Sequence, residues 1–376
     1  MDQKKQKKRG LVRTILAAAA ALILIVGAVL VVLYRDQLTP QKLGDTFGEG
    51  MPADESEPFT YEAGSGQVFA VSGNRLAAAS STGIQLLDAD GKTVLREVFS
   101  VGTPAVTASE KYILFYDAGG TSLRLADANG SIAAIDTKAA ILSASVNEGG
   151  FVAAVTEETG YKAAVTVYDS ALRPVFAWHS GSVYVLAAQV APNGRTLAAL
   201  CADEAGSRLQ LFSLSSEKPL SSFEAGGELF WNLRWMGGDR ICLLSEKQLV
   251  FLDASAKQNA AYDFEGKYLL DYDFGGGLAV LVLGEFRSGG NSELIAVDTE
   301  AREKGRIPVR QRDVLSVCVN GSGVLVLYSD SLELMSDVLA PVNSTDDILG
   351  VKRALLRKDG KCLLLSAYSA ELMSLR

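Results

Sequence analysis

The sequence predicts an all-β fold: a β-propeller of eight blades, with seven as the alternative count, preceded by one N-terminal transmembrane helix. Three observations carry this expectation. A unit recurs along most of the chain, its marker position falling at Asp88, Asp127, Asp169, Ser213, Asp253, Asp298, Ser336 and Ser374. The segments between turns alternate apolar and polar residues with period two, as in SLRLAD and RLQLFS, which is the pattern of strands and not of helices. Near the N-terminus stands a single long apolar run without charge.

That run, Ile15 to Tyr34, is 20 residues long. As a helix it would span roughly 30 Å, the thickness of a bilayer core, with every backbone polar group satisfied internally. Lys4, Lys5, Lys7, Lys8, Arg9 and Arg13 precede it and only Arg35 follows closely. The excess of positive charge on the N-terminal side keeps that end in the cytoplasm and sends the remainder outward. A cleaved signal peptide is the rival reading. It would have an apolar region of about 7–15 residues ending in a small-x-small site, whereas this run ends in VVLYRDQ. Both readings place the body of the chain outside the cytoplasm. The expected organisation is a basic cytoplasmic tip (1–14), a transmembrane helix (15–34), a flexible acidic tether rich in Pro and Gly (35–57) and the propeller (58–376).

Within the net charge of −8, the first 13 residues carry +5 and the rest therefore −13. So acidic a body offers no basic face to neutralise phosphates, and nucleic acid is not an expected partner. The bilayer, through Ile15–Tyr34, is.

Each repeat runs as an apolar strand, a Gly-containing tight turn, a second apolar strand, an alternating strand ending at the marker, and a weaker fourth strand. The marker spacings are 39, 42, 44, 40, 45, 38 and 38 residues. Four strands in a unit of about 40 residues is the signature of propeller blades; a β-sandwich has the strand content but not the repeat. The turns NEGG, PNG, GGD, NGSG and KDG supply residues that tolerate positive φ.

The first copy, with LLDADGKTVLR, resembles the strand–Asp–turn–Gly segment of the quinoprotein-like β-propeller superfamily. Leu95 stands where those repeats place a docking tryptophan, and the chain has only Trp178, Trp231 and Trp235. The calcium-binding acidic cluster of pyrroloquinoline quinone enzymes is not legible, and the Gly-His and Trp-Asp pairs of WD repeats are missing. The layout as a whole is similar to a family of unknown function: membrane-anchored bacterial propeller proteins of anaerobic Gram-positive bacteria. That resemblance implies a location and a fold, with no activity attached.

The chemistry-bearing residues read mostly as structure. Cys201, Cys242, Cys318 and Cys362 each sit in an apolar strand and form no CxxC pair, so they read as small buried hydrophobes. His179 is the only histidine, which rules out a multi-histidine zinc site. Asp88-Ala-Asp90-Gly91 begins like a calcium loop, but Lys92 and Phe99 stand where oxygen ligands are required. Ser215 and Lys218 have the SxxK spacing but join two strands. No cofactor is expected.

The polar exceptions lie on the first strands, which should line the propeller axis. WNLRW puts Asn232 and Arg234 on one face, LLDYDF puts Asp271 and Asp273 on one face, and Lys352 and Arg353 occupy the equivalent strand of the eighth copy. With Trp231, Trp235 and Tyr272 as walls, they form a candidate axial pocket; the plainer reading is a set of inter-blade ion pairs, with Arg234 within salt-bridge distance of Asp271 or Asp273. The eighth copy ends after its third strand, so residues 58–62, where Phe59 and Tyr61 alternate with polar residues, are expected to pair antiparallel with 370–375 and close the ring. A binding or scaffold module for an envelope protein or glycan is the leading functional reading. The alternative is a degenerate quinoprotein-like or glycan-active enzyme.

Overall fold

The computed structural model describes residues 59–375 except Ala63, Gln311, Ser322 and Asp347. The tip, the apolar run, the tether and Pro58 lie outside the described residues.

The described residues fold into eight four-stranded antiparallel sheets, arranged as the blades of a propeller. In each of the first seven the strands follow in chain order from the axis outward. The innermost strands are Val68–Ser72, Pro104–Ala108, Ile141–Val146, Tyr184–Val190, Phe230–Met236, Tyr268–Gly275, Val314–Asn320 and Arg353–Leu356, in blades 1 to 8.

Why the second strands are apolar throughout becomes clear from their packing. Both faces of a blade are covered by neighbours, so alternation has no solvent side to point to. In blade 5, Ile241 and Leu243 pack toward blade 4, while Cys242 and Leu244 pack toward blade 6. The fourth strands return to alternation because their rims are wet, as in Pro219–Glu224 and Gln258–Asp263. The core is accordingly divided into eight apolar clusters, one at each interface between adjacent blades. Each wholly buried Leu, Ile or Val in them contributes about 1.5–3 kcal/mol relative to exposure.

The recurring marker residue is a turn device. Asp88 Oδ1 accepts the backbone N–H groups of Asp90 (3.0 Å) and Lys92 (2.9 Å). Asp169, Asp253 and Asp298 do the same for residues two and four positions on. The side chain thus mimics a backbone turn at the connection between third and fourth strands, and the calcium-like opening of the first copy is one instance of it.

The ring closes across its ends. Phe59–Thr60 is the outermost strand of blade 8, antiparallel to Ser369–Met373, with Phe59 opposite Ala370 and Thr60 opposite Ser369. This is the expected closure with a shorter strand. The ladder stops because Tyr61 drops into the interface between blades 8 and 1, where it is buried and its hydroxyl lies 2.7 Å from the carbonyl oxygen of Ser366 and 2.9 Å from that of Ser369. Glu62 already belongs to blade 1: its N–H donates to Gln85 Oε1 at 3.2 Å. On the other side of the seam, the buried Arg357 donates to the carbonyl of Ala89 at 2.7 Å and pairs with Asp359 at 2.6 Å.

Candidate functional site

An innermost strand has one neighbour in its own sheet, so the backbone groups along its axial edge are left for other partners. Side chains of the preceding blade serve them. Ser143 Oγ donates to the Leu186 carbonyl (3.2 Å), Ser145 Oγ to that of Ala188 (2.8 Å) and Asn147 Nδ2 to that of Ala191 (2.9 Å). The partners advance in step, so the innermost strands run parallel around the axis. Acceptors serve amides in the same way: Asp271 Oδ2 accepts the N–H of Val317 at 2.9 Å and Asp273 Oδ2 that of Val319 at 2.7 Å. In the next blade Ser316 Oγ and Cys318 Sγ receive the amides of Ala354 and Leu356.

This geometry corrects the expected ion pair. Among the described residues no ion pair joins Arg234 to Asp271 or Asp273, and Arg234 is exposed. The physical reason is direction: both carboxylates reach forward to the amides of blade 7, away from blade 5. Arg234 occupies the register position that Asp273 holds one blade on, but a guanidinium carries no acceptor and cannot receive an amide N–H. Burial raises both carboxyls above the usual carboxylate range, opposed by their backbone hydrogen bonds and by the positive charge of Arg353 and, for Asp273, of Arg234.

The remaining predicted residues fall into separate groups. Asn232 donates to the Tyr272 hydroxyl at 2.9 Å, and the Trp231 and Tyr272 rings meet edge to face with centroids 5.4 Å apart. Lys352 and Arg353 are exposed on blade 8. Arg234 and Trp235 line an axial cavity of about 220 Å³ together with Thr107, Ser145, Asn147 and Gln189, residues of blades 2 to 4. Trp235 is fixed there by Gln189, whose carbonyl accepts from the indole Nε1 (3.2 Å) and whose Oε1 accepts from the Trp235 amide (3.3 Å). The Thr107 hydroxyl is buried beside the cavity without a hydrogen-bond partner. The wall is polar and carries one charge of each sign, Arg234 and Glu148, which suits a small polar ligand. Ser143, Ser145, Asn147 and Gln189 were not foreseen as a group; their signal is small polar residues at alternate positions of otherwise apolar strands, ILSASVN and VLAAQV.

Trp231 lies instead on a second concavity, an open cleft of about 650 Å³ between blades 5 and 6, lined also by Tyr268, Lys247, Asp263, Lys267 and Arg287. The cysteines behave as hydrophobes. Cys201, Cys242 and Cys362 are buried, Cys318 is partly so, all four are free, and burial raises every thiol, Cys201, Cys318 and Cys362 to about 12. His179 is exposed on the outermost strand of blade 3, its ring 5.2 Å from that of Tyr161. Ser215 lies in a turn, its hydroxyl 2.7 Å from that of Ser213.

The profile of a family described as a family of unknown function (DUF5711) matches residues 57–271. No curated protein matches the chain. Among solved structures it is similar to BamB from Moraxella catarrhalis, at 11% identity and a TM-score of 0.53, covering 86% of this chain and 100% of that one. The C-terminal WD40 domain of Sif2 is similar at 11% identity and a TM-score of 0.59, with 88% and 100% covered. The computationally designed Ika8 protein gives 11% and 0.60, with 85% and 99% covered. At such identities the likeness shows the fold alone.

Proposed function

The chain belongs to the family of unknown function DUF5711, and from that premise we propose that it is a membrane-anchored, extracytoplasmic β-propeller that acts as a binding or scaffold module for an envelope protein or glycan. The anchor in this reading is Ile15–Tyr34, with the basic tip in the cytoplasm. The observation that carries the binding role is the axial cavity. Its Trp235 is held in place by Gln189, and the exposed Arg234 guanidinium is in no ion pair among the described residues. Chain and bilayer would be joined through the outer rim of blade 8, where Phe59 enters the ring. A tether of about 20 residues then leaves the propeller free to sample neighbours instead of docking on lipid.

Capture of neighbours with a crosslinker in intact cells tests this, comparing the full chain with one truncated after the tether. A set of envelope components captured only by the full chain is the expected result; identical capture profiles would sink the scaffold role. Protease added to intact cells should degrade the propeller and spare the tip.

A glycan-active enzyme is the second reading, and the raised carboxyls of Asp271 and Asp273 are what favour it, since a general acid needs such a shift. It ranks second because one oxygen of each carboxylate already holds a backbone amide of blade 7.

A further inference from the structure

We propose that the cleft between blades 5 and 6 is a carbohydrate-binding site, with Trp231 and Tyr268 as the stacking platforms. The inference deepens the binding-module reading and rests on it. Its starting point is a defect repeated around the ring. The innermost strands of blades 3 to 7 each break register near their first residues, between Ile141 and Ser143, Val185 and Ala187, Phe230 and Asn232, Leu269 and Asp271, and Val314 and Ser316. The residue skipped by the ladder is Leu142, Leu186, Leu270 or Leu315 in four of them and Trp231 in blade 5. A bulge re-aims the extra side chain while the flanking residues keep their places. Phe230 stays in the core and Asn232 stays bonded to Tyr272, so the indole between them is displayed, 38% exposed.

The neighbouring strand supplies a second ring. Tyr268, its first residue, is 40% exposed, and the Arg287 guanidinium sits 5.3 Å from the centre of its ring. Both rings line one open cleft, and blade 5 alone has an aromatic side chain at the bulge position, where blades 3 and 7 expose Leu142 and Leu315. An aromatic face with a polar surround suits a ligand that has an apolar C–H face and a hydroxylated edge, and a pyranose has both.

The charges point the same way. Lys267 is paired with Glu293 at 2.6 Å and Arg287 with Glu246 at 3.7 Å. Lys247 and Asp263 line the same cleft, are exposed, and have no ion-pair partner among the described residues. The Lys247 ammonium and the carboxylate of Asp263, one oxygen of which accepts the Glu265 amide at 2.6 Å, supply a donor and an acceptor at the same cleft. A sugar hydroxyl both donates and accepts, so it satisfies the two together, whereas a strongly acidic or basic ligand gains one and is repelled by the other. An extended peptide would dock by adding a strand to an open edge. Here the bulge interrupts the backbone ladder, and the cleft presents side chains. A volume of about 650 Å³ accommodates a short oligosaccharide.

The test titrates the full chain in detergent micelles with an N-acetylglucosamine tetrasaccharide and with muramidase-released peptidoglycan strands, followed by calorimetry and by tryptophan fluorescence. Uncharged peptides of matched mass serve as comparators. Saturable saccharide binding is expected, weakened at least tenfold in W231A and in Y268A and less than threefold in W231F, which keeps a ring. Y268A and K247A alter exposed side chains, so they keep the test open if W231A fails to fold. No saturation with either saccharide, or binding indifferent to W231A, Y268A and K247A, overturns the proposal. Peptide binding at the cleft without saccharide binding overturns the glycan assignment and leaves the module reading standing; failure of that reading shows separately, as identical crosslinking profiles.

Discussion

At the scale of single residues, the side chains that look like site chemistry in the sequence are mostly fasteners. Asp271 and Asp273 hold amides of the following blade, and burial raises both carboxyls. A carboxyl raised in the folded state contributes stability that is complete below its unfolded value of about 3.9 and is lost as pH rises through its folded value. Acidification from neutral pH should therefore raise the melting temperature of the native protein relative to the D271N/D273N double variant. Asparagine keeps an acceptor for each amide but binds no proton. D273A should behave differently, losing about 1–3 kcal/mol across the range because the Val319 amide is left unserved. Thermal denaturation across a pH series checks both. Parallel curves for native and double-variant protein would show that no proton is linked to these carboxyls.

At the scale of the element, the turn between third and fourth strands combines an Asx cap with a left-handed residue three positions later. That residue is Gly91 in the first copy (φ 79°), but Leu172 (55°), Ala256 (63°), Ala301 (58°) and Leu339 (59°) in others. A side chain there costs roughly 1–2 kcal/mol, partly offset by the greater chain entropy glycine would lose. A301G should accordingly raise the urea midpoint by an amount equivalent to about 0.5 kcal/mol. D298A should lower it by about 1–2 kcal/mol, since the amides of Glu300 and Arg302 lose their acceptor. A midpoint that falls for A301G would mean that the turn is not strained and that the methyl group matters more for its packing against the blade 5–6 cluster.

As a whole, the described residues form a ring, closed at a seam between blades 8 and 1. Besides its apolar cluster, that seam is held by the short strand Phe59–Thr60, the Tyr61 hydroxyl, Arg357 with its bond to Ala89, and the amides of Lys358 and Asp359, which donate to Gly73 and Asn74. Removing the Tyr61 hydroxyl in Y61F should cost about 1 kcal/mol, and R357A roughly 2–3 kcal/mol, because a charge-assisted bond is lost from a buried position. Hydrogen exchange should then quicken first in blades 8 and 1. Uniform loss of protection around the ring would show that the seam opens only with global unfolding. Because the eight interfaces share no common core, damage at one should spread through neighbours and not through a centre.

The sequence by itself determined the propeller class, the strand pattern and the strand that closes the ring; it favoured eight blades over seven, and the eight sheets of the structure decided that count. The first three are local or periodic properties: alternation, turn chemistry and a repeat length are all written within one unit of the chain. It also marked Trp231, Arg234 and Asp271 as unusual. What they do was decided by tertiary structure, because the relevant partners lie 40 or more residues away, as with Ser143 and Leu186 or Asp271 and Val317. Charge complementarity alone paired Arg234 with the aspartates of the next blade. Only the parallel run of innermost strands, each side chain reaching forward, shows that those aspartates turn to blade 7. Likewise WNLRW read alone does not show the bulge that displays Trp231, since a register slip is defined only by the pairing with Arg240–Ser245.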